Sequence, residues 1–256
     1  VAISYALGSI PFASAVTQGL RIKLIAISES YSDAENLVVR QDRGINKPQD
    51  LVGKNVATPF GTTSHYRLMG ILSMFGLGED QLKIIDMAGT DIVAAFRRGD
   101  IDAGCAWEPA VSEMIKFGGK IIVPAEDQIK AGFATYGIVA VTEEFAEKSP
   151  ELVRKFLKVM NESTAFFRSN PEEAYKLIGE NAGLTPESTR DIMASMGFFT
   201  RDEQLSPTWL GVSDQKGAIA KNLKQVADFL VKQQAIDKAK EDYAPFVDPS
   251  FMEAAK

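Results

Sequence analysis

From Gly53 to Pro124, short apolar runs and helical patterns take turns, and that alternation restricts the possible folds more than any other feature of the chain. The apolar runs are GKNVATPF, LKIIDM, IDAGCAW and KIIVP; between them lie TTSHYRLMGILSMFG, TDIVAAFRRGD and EPAVSEMIKFGG. The first helical stretch sets Leu68, Ile71, Leu72 and Phe75 at i, i+3, i+4 and i+7, with Gly76 and Gly78 to end it. In the second, Thr90 or Asp91 is positioned as the cap, and the third starts on a proline. Strands that alternate with helices predict a parallel α/β sheet.

The pattern also occurs at the N-terminus. Laid over DIDAGCAWEPAVSEMIKFGGKI, the opening AISYALGSIPFASAVTQGLRI puts Ile3 on Ile101, Pro11 on Pro109 and Gly19 beside Gly118 and Gly119. Each copy then runs into a strand, RIKLIAIS or KIIVP, so one strand-loop-helix-strand unit is used twice. The second copy has a strand-helix-strand region upstream that the first lacks, so the first part of lobe one is expected to be missing ahead of Val1. Between the copies ENLVVRQ reads as a strand and INKPQDL as a turn into lobe two.

ATYGIVAVT reads as a returning strand, and from Thr142 the chain is helical, with no sheet of its own. That tail is expected to pack back on lobe one. The expected division is 1–42 for the first part of lobe one, 43–133 for lobe two, and 134–256 for the return strand and C-terminal helices. Two lobes joined by two strands make a hinge with a cleft.

Composition narrows the partners. Of 256 residues 45% are hydrophobic, ample for a core, and a net charge of −6 without a Lys/Arg cluster argues against nucleic acid or an anionic membrane. No segment approaches the roughly 20 apolar residues of a spanning helix. One cysteine and one histidine allow no internal disulfide and no zinc-type ligand set, so no metal or cofactor is expected. The opening VAISYALGS has neither an initiator Met nor the regions of a signal peptide.

Gly61, Thr62, Thr63, Ser64 and His65 stand where a helix begins. Free N–H groups, the positive end of the helix dipole and the hydroxyls of Thr62, Thr63 and Ser64 suit an oxyanion there, although Thr62 or Thr63 as a plain cap explains the same residues. Gly8 and Ser9, ahead of Pro11, offer a second set of donors or an ordinary helix entry. Trp107 ends a strand, where open α/β sheets keep their ligands, and can stack on an alkyl chain or face a cation. Glu108 either meets an amine or favours the dipole of its own helix, the second being preferred. For catalysis the sequence offers little: His65 adjoins Ser64 without facing it on a helix, and Cys105 lies in an apolar strand.

GKNVATPFGTTSHYRL, GDIDAGCAWEPA, SYSDAENLVVRQDRGI, LSPTWLG and DYAPFV together resemble the periplasmic substrate-binding proteins of ABC importers for taurine, alkanesulfonates and related nitrate- or sulfonate-type ligands. The resemblance implies a two-lobed type II periplasmic binding protein fold with a hinge, a small sulfonate captured in the interlobe cleft, and delivery to an ABC permease without catalysis. It implies a monomer in the periplasm or lipid-anchored at the outer face of the cell membrane. By that likeness Thr62, Thr63, Ser64 and His65 hold the sulfonate, joined by Trp107, Glu108 and the Gly8–Ser9 turn. A taurine binder also needs a carboxylate for the amine; Asp202, in GFFTRDEQLSP, is a candidate, with an exposed surface residue as the other reading. The alternatives are an enzyme on the same fold, a thiamine-pyrimidine synthase or a sulfinate-cleaving hydrolase, and a sensor's ligand-binding module. The first enzyme type carries a cysteine-rich motif and the second a reactive cysteine, against the single Cys105 here.

Overall fold

The structure is a computed structural model and describes residues 2–255. The chain begins with β1 (Ile3–Gly8), α1 (Ser9–Thr17) and β2 (Ile22–Tyr31). Next come β3 (Glu35–Arg40), β4 (Asn55–Thr58), α2 (Thr63–Met74), β5 (Lys83–Asp86) and α3 (Gly89–Arg98). They are followed by β6 (Ala103–Trp107), α4 (Ala110–Lys116), β7 (Gly119–Ile121) and α5 (Ala125–Lys130). The chain returns through β8 (Thr135–Thr142) to α6 (Glu143–Lys148), α7 (Pro150–Ser169), α8 (Pro171–Ala182) and α9 (Pro186–Ala194). Short pieces follow, β9 (Met196–Gly197), α10 (Arg201–Gln204), β10 (Gly211–Val212) and β11 (Gln215–Lys216), before α11 (Ile219–Lys232) and α12 (Ser250–Ala254).

Two compact units result. One holds the chain up to Ser30 and again from Tyr136; the other is Tyr31–Thr135. In the second unit the sheet order is β5-β4-β6-β3-β7. β4 runs parallel to β5 and β6, as the alternating pattern predicts, but β3 is antiparallel to both β6 and β7. The sheet is therefore mixed. β3 joins it from the opposite direction because no helix crossover precedes it, and its buried run Leu37, Val38 and Val39 takes an interior position.

This moves the first boundary. The expected division kept residues up to 42 in lobe one, whereas β3 is an inner strand of the second unit, which begins at Tyr31. The second unit's core packs Val38 and Ala57 of the sheet against Ile92 and Phe96 of α3 and Val111 and Met114 of α4. Gly104 lets the helices come this close, since a Cβ there would sit 2.6 Å from Ile92 and 2.7 Å from the Met114 sulfur. Two local expectations are corrected. Ala88 caps α3 without a side-chain bond, leaving Thr90 and Asp91 inside its first turn; Phe75 is the C-cap of α2 and is exposed, unlike buried Leu68, Ile71 and Leu72.

The first unit's sheet has the order β1-β8-β2-β9, with β1 antiparallel to β8 and Gly8 opposite Gly137. Fully buried Ile25, Ala26 and Ile27 make β2 its apolar centre, and α1 packs on α11. The helices from α6 onward belong to this unit, where the sequence pattern placed them. The repeat has the same element order in both places, β1-α1-β2 and β6-α4-β7.

Candidate functional site

In the second unit, β4, β5 and β6 all end at one edge of the sheet, so the starts of α2 and α3 and the end of β6 gather there. The turn into α2 needs Gly61, whose φ of 71° is costly for residues with a Cβ. Thr62 is the cap: its hydroxyl donates to the Pro59 carbonyl at 2.6 Å and accepts from the His65 N–H at 3.4 Å. The His65 ring stacks on Phe60 with centroids 4.6 Å apart and accepts from the Gly61 N–H through Nδ1 at 3.4 Å. Burial lowers the His65 pKa, against a smaller opposing pull from Glu79 and Asp86.

The hydroxyls expected to grip an anion are used differently. Thr63 and Ser64 both donate to Oε1 of Glu35, the latter at 2.8 Å, and Thr135 donates to its Oε2 at 2.7 Å. Arg67 places Nε 3.4 Å from the same Oε2, and both charged side chains are fully buried. The guanidinium also donates to the carbonyls of Tyr31 at 2.6 Å and Ser32 at 2.9 Å, and to the Thr135 hydroxyl at 2.8 Å. A carboxylate buried beside the start of α2 thus takes the hydroxyl protons of Thr63 and Ser64, because without such donors its burial would be far costlier. With the Thr62 proton on Pro59, an external oxyanion at this turn meets backbone N–H groups instead.

Trp107 ends β6 as the register partner of Glu35 and is 40% exposed. It lines a cavity of about 430 Å³ with Gly89, Thr90, Val93 and Pro109. The Glu108 carboxylate is taken up within its own helix, accepting from the Ser112 N–H at 3.1 Å and hydroxyl at 2.8 Å. Burial raises its pKa, partly offset by the Ser112 bonds. Glu108 thus bonds locally to the first turn of α4 while also lining the cavity beside Trp107. Cys105 is buried under the start of α2, its Sγ 3.3 Å from the Ser64 carbonyl, and loss of water pushes the thiol far above its ordinary range. A reactive cysteine needs the opposite shift.

In the first unit, Gly8 is the N-cap of α1 and Ser9 its first residue, fully buried. The Ser9 and Ser28 hydroxyls are buried and make no hydrogen bond among the described residues. Asp202 lies in α10 with a side chain 90% exposed, 3.0 Å from Arg201. Trp209 packs on Phe199 at 4.0 Å and meets the edge of Tyr136 at 5.9 Å. Sequence reasoning missed the buried pair of Glu35 and Arg67 behind the start of α2. The available signal was a charge inside an apolar run, Arg67 in YRLMGIL.

The model of the family described as NMT1/THI5 like matches residues 2–174. The chain is 29% identical over 253 residues to the taurine-binding periplasmic protein of Escherichia coli (strain K12), covering 96% of this chain and 76% of that protein. It is 29% identical over 249 residues to a putative aliphatic sulfonates-binding protein of Bacillus subtilis (strain 168), covering 97% and 70%. In fold it matches the periplasmic aliphatic sulphonate binding protein SsuA from Escherichia coli, with a TM-score of 0.79 at 19% identity over 99% of this chain and 81% of that one.

Proposed function

The chain belongs to the NMT1/THI5-like family, and from that membership we propose that it is the solute-binding component of an ABC importer, capturing a small sulfonate such as taurine for a membrane permease. The observation that carries this reading is the match to a taurine-binding periplasmic protein over 96% of the chain. The site chemistry supports binding without turnover, since the one thiol is buried and its pKa raised. Among the described residues, no helix is long and apolar enough to cross a membrane. A binding protein of this class works in the periplasm or tethered at the outer face of the cell membrane.

We assign the sulfonate to neutral donors of the second unit, the N–H groups of Thr62, Thr63 and Ser64 at the start of α2; Gly8 and Ser9, at the start of α1, are a separate donor pair within the first unit. Thr63 and Ser64 contribute backbone, their hydroxyls being held by Glu35. A sulfonate is charged at every physiological pH, so neutral donors serve it without any proton exchange. Trp107 supplies an apolar wall for the alkyl chain. Micromolar affinity, about −8 kcal/mol, is the scale expected.

Calorimetric titration with taurine, ethanesulfonate, sulfate and nitrate tests the reading. At least one sulfonate is expected to bind more tightly than sulfate or nitrate. Binding of nitrate alone, or of none of the four, overturns the assignment.

A further inference from the structure

In the first unit, α7 shows solvent an apolar stripe that none of the preceding assignments uses. Of its 20 residues only Val153 and Leu157 are buried. On the outer side Leu152, Val159 and Phe166 recur every seven residues and are 54%, 60% and 39% exposed. A step of seven returns a helix to nearly the same face, so the three residues form one line about 21 Å long. At its Phe166 end the line borders a groove of about 390 Å³ between α7 and α8, lined by Phe166, Phe167, Leu177 and Ile178. Leu177 is itself 45% exposed. Contiguous apolar surface on a helix pair suits another protein surface better than water.

The charges on the same face indicate which surface. Towards its two ends α7 has its charges paired within the chain, Arg154 with Glu151 and Arg168 with Glu203. Lys155 and Glu162 stand exposed between the apolar residues and have no ion pair among the described residues. They are opposite in sign and lie on either side of Val159. A second copy of α7 laid parallel would set Lys155 on Lys155 and Glu162 on Glu162, like on like. Laid antiparallel about a two-fold axis beside Val159, it sets Lys155 of each copy against the turn that carries Glu162 of the other. The same register brings Leu152 of each copy to Phe166 of the other, at the mouth of the groove, and Val159 to its own counterpart.

We propose that this face of α7 and α8 joins two copies of the chain in an antiparallel, two-fold symmetric dimer. Charge decides the direction, and the spacing of the apolar residues decides the register. The contact is a short apolar line with two symmetry-related ion pairs at its rim, so the dimer forms reversibly and its population depends on protein concentration. It departs from the monomer that the sequence resemblance implies, and it stands whether or not the ligand is a sulfonate.

Sedimentation equilibrium from about 1 μM to about 500 μM tests this, with a monomer–dimer equilibrium expected across the series. Val159→Asp places two carboxylates at the axis and should weaken the dimer roughly tenfold or more, with the circular dichroism spectrum unchanged. Lys155→Glu should weaken it as well, by setting like charges against each other, and the double variant Lys155→Glu/Glu162→Lys should restore it. A monomer at every concentration overturns the dimer and leaves the face to a different occupant. A dimer indifferent to Val159→Asp places the contact elsewhere, and a charge reversal that fails to restore association overturns the antiparallel register.

Discussion

Single residues at the start of α2 are tied into the fold by a buried carboxylate. Glu35 accepts from Thr63, Ser64 and Thr135 and pairs with Arg67, all in the second unit. Removing one partner leaves a buried charge, so Glu35→Ala should cost about 3–5 kcal/mol in urea unfolding. A loss under about 1 kcal/mol would show that the pair is not the structural anchor. Cys105 should resist a thiol reagent in the folded protein at pH 8 and react fully in denaturant, because burial raises its pKa. Fast labelling of the native protein would reopen the enzyme reading. The sequence showed that Thr62, Thr63 and Ser64 stand at a helix start but not where their protons go. Their acceptor, Glu35, lies on a strand a loop and another strand earlier, and nothing local links the two.

Elements were more legible than contacts. The i, i+3, i+4 spacing of Leu68, Ile71 and Leu72 located α2, and Pro150, Pro171 and Pro186 each open a helix in the position that spares an N–H. The direction of β3 was not legible, because an apolar strand reads alike in either sense and its pairing is set by β6 and β7. At the end of β6, Trp107 borders the cavity while 40% exposed. Trp107→Ala is expected to weaken sulfonate binding roughly tenfold with little change in melting temperature. Unchanged affinity would place Trp107 outside the site. At the start of α2, His65 is less basic when folded, since burial opposes its charge. The unfolded chain then takes up more protons, so its share of stability is full above roughly pH 6.5 and is lost as pH falls towards the depressed folded value. The urea midpoint should fall less between pH 7.5 and 5.5 in His65→Gln than in wild type; equal falls would assign the effect to other groups.

For the whole molecule, the repeat and the returning strand Thr135–Thr142 were enough to foresee two units with the helical tail on the first. The boundary was placed too late because the loop after β3, with Gly44 and Pro48, looked like a domain entry although β3 already belongs to the second sheet. In the first unit, the close approach of Glu29 to Gly137 was hidden because β2 reads as one buried strand until SES, and only the pairing of β1 with β8 brings Gly8 opposite Gly137. The functional reading turns on a molecule that binds a sulfonate and releases it chemically unchanged. The most direct measurement is equilibrium dialysis against taurine, followed by mass spectrometry of the ligand recovered from the protein. Stoichiometric binding with taurine recovered intact is the predicted result, and either no retention of any sulfonate or the appearance of a converted product would contradict it.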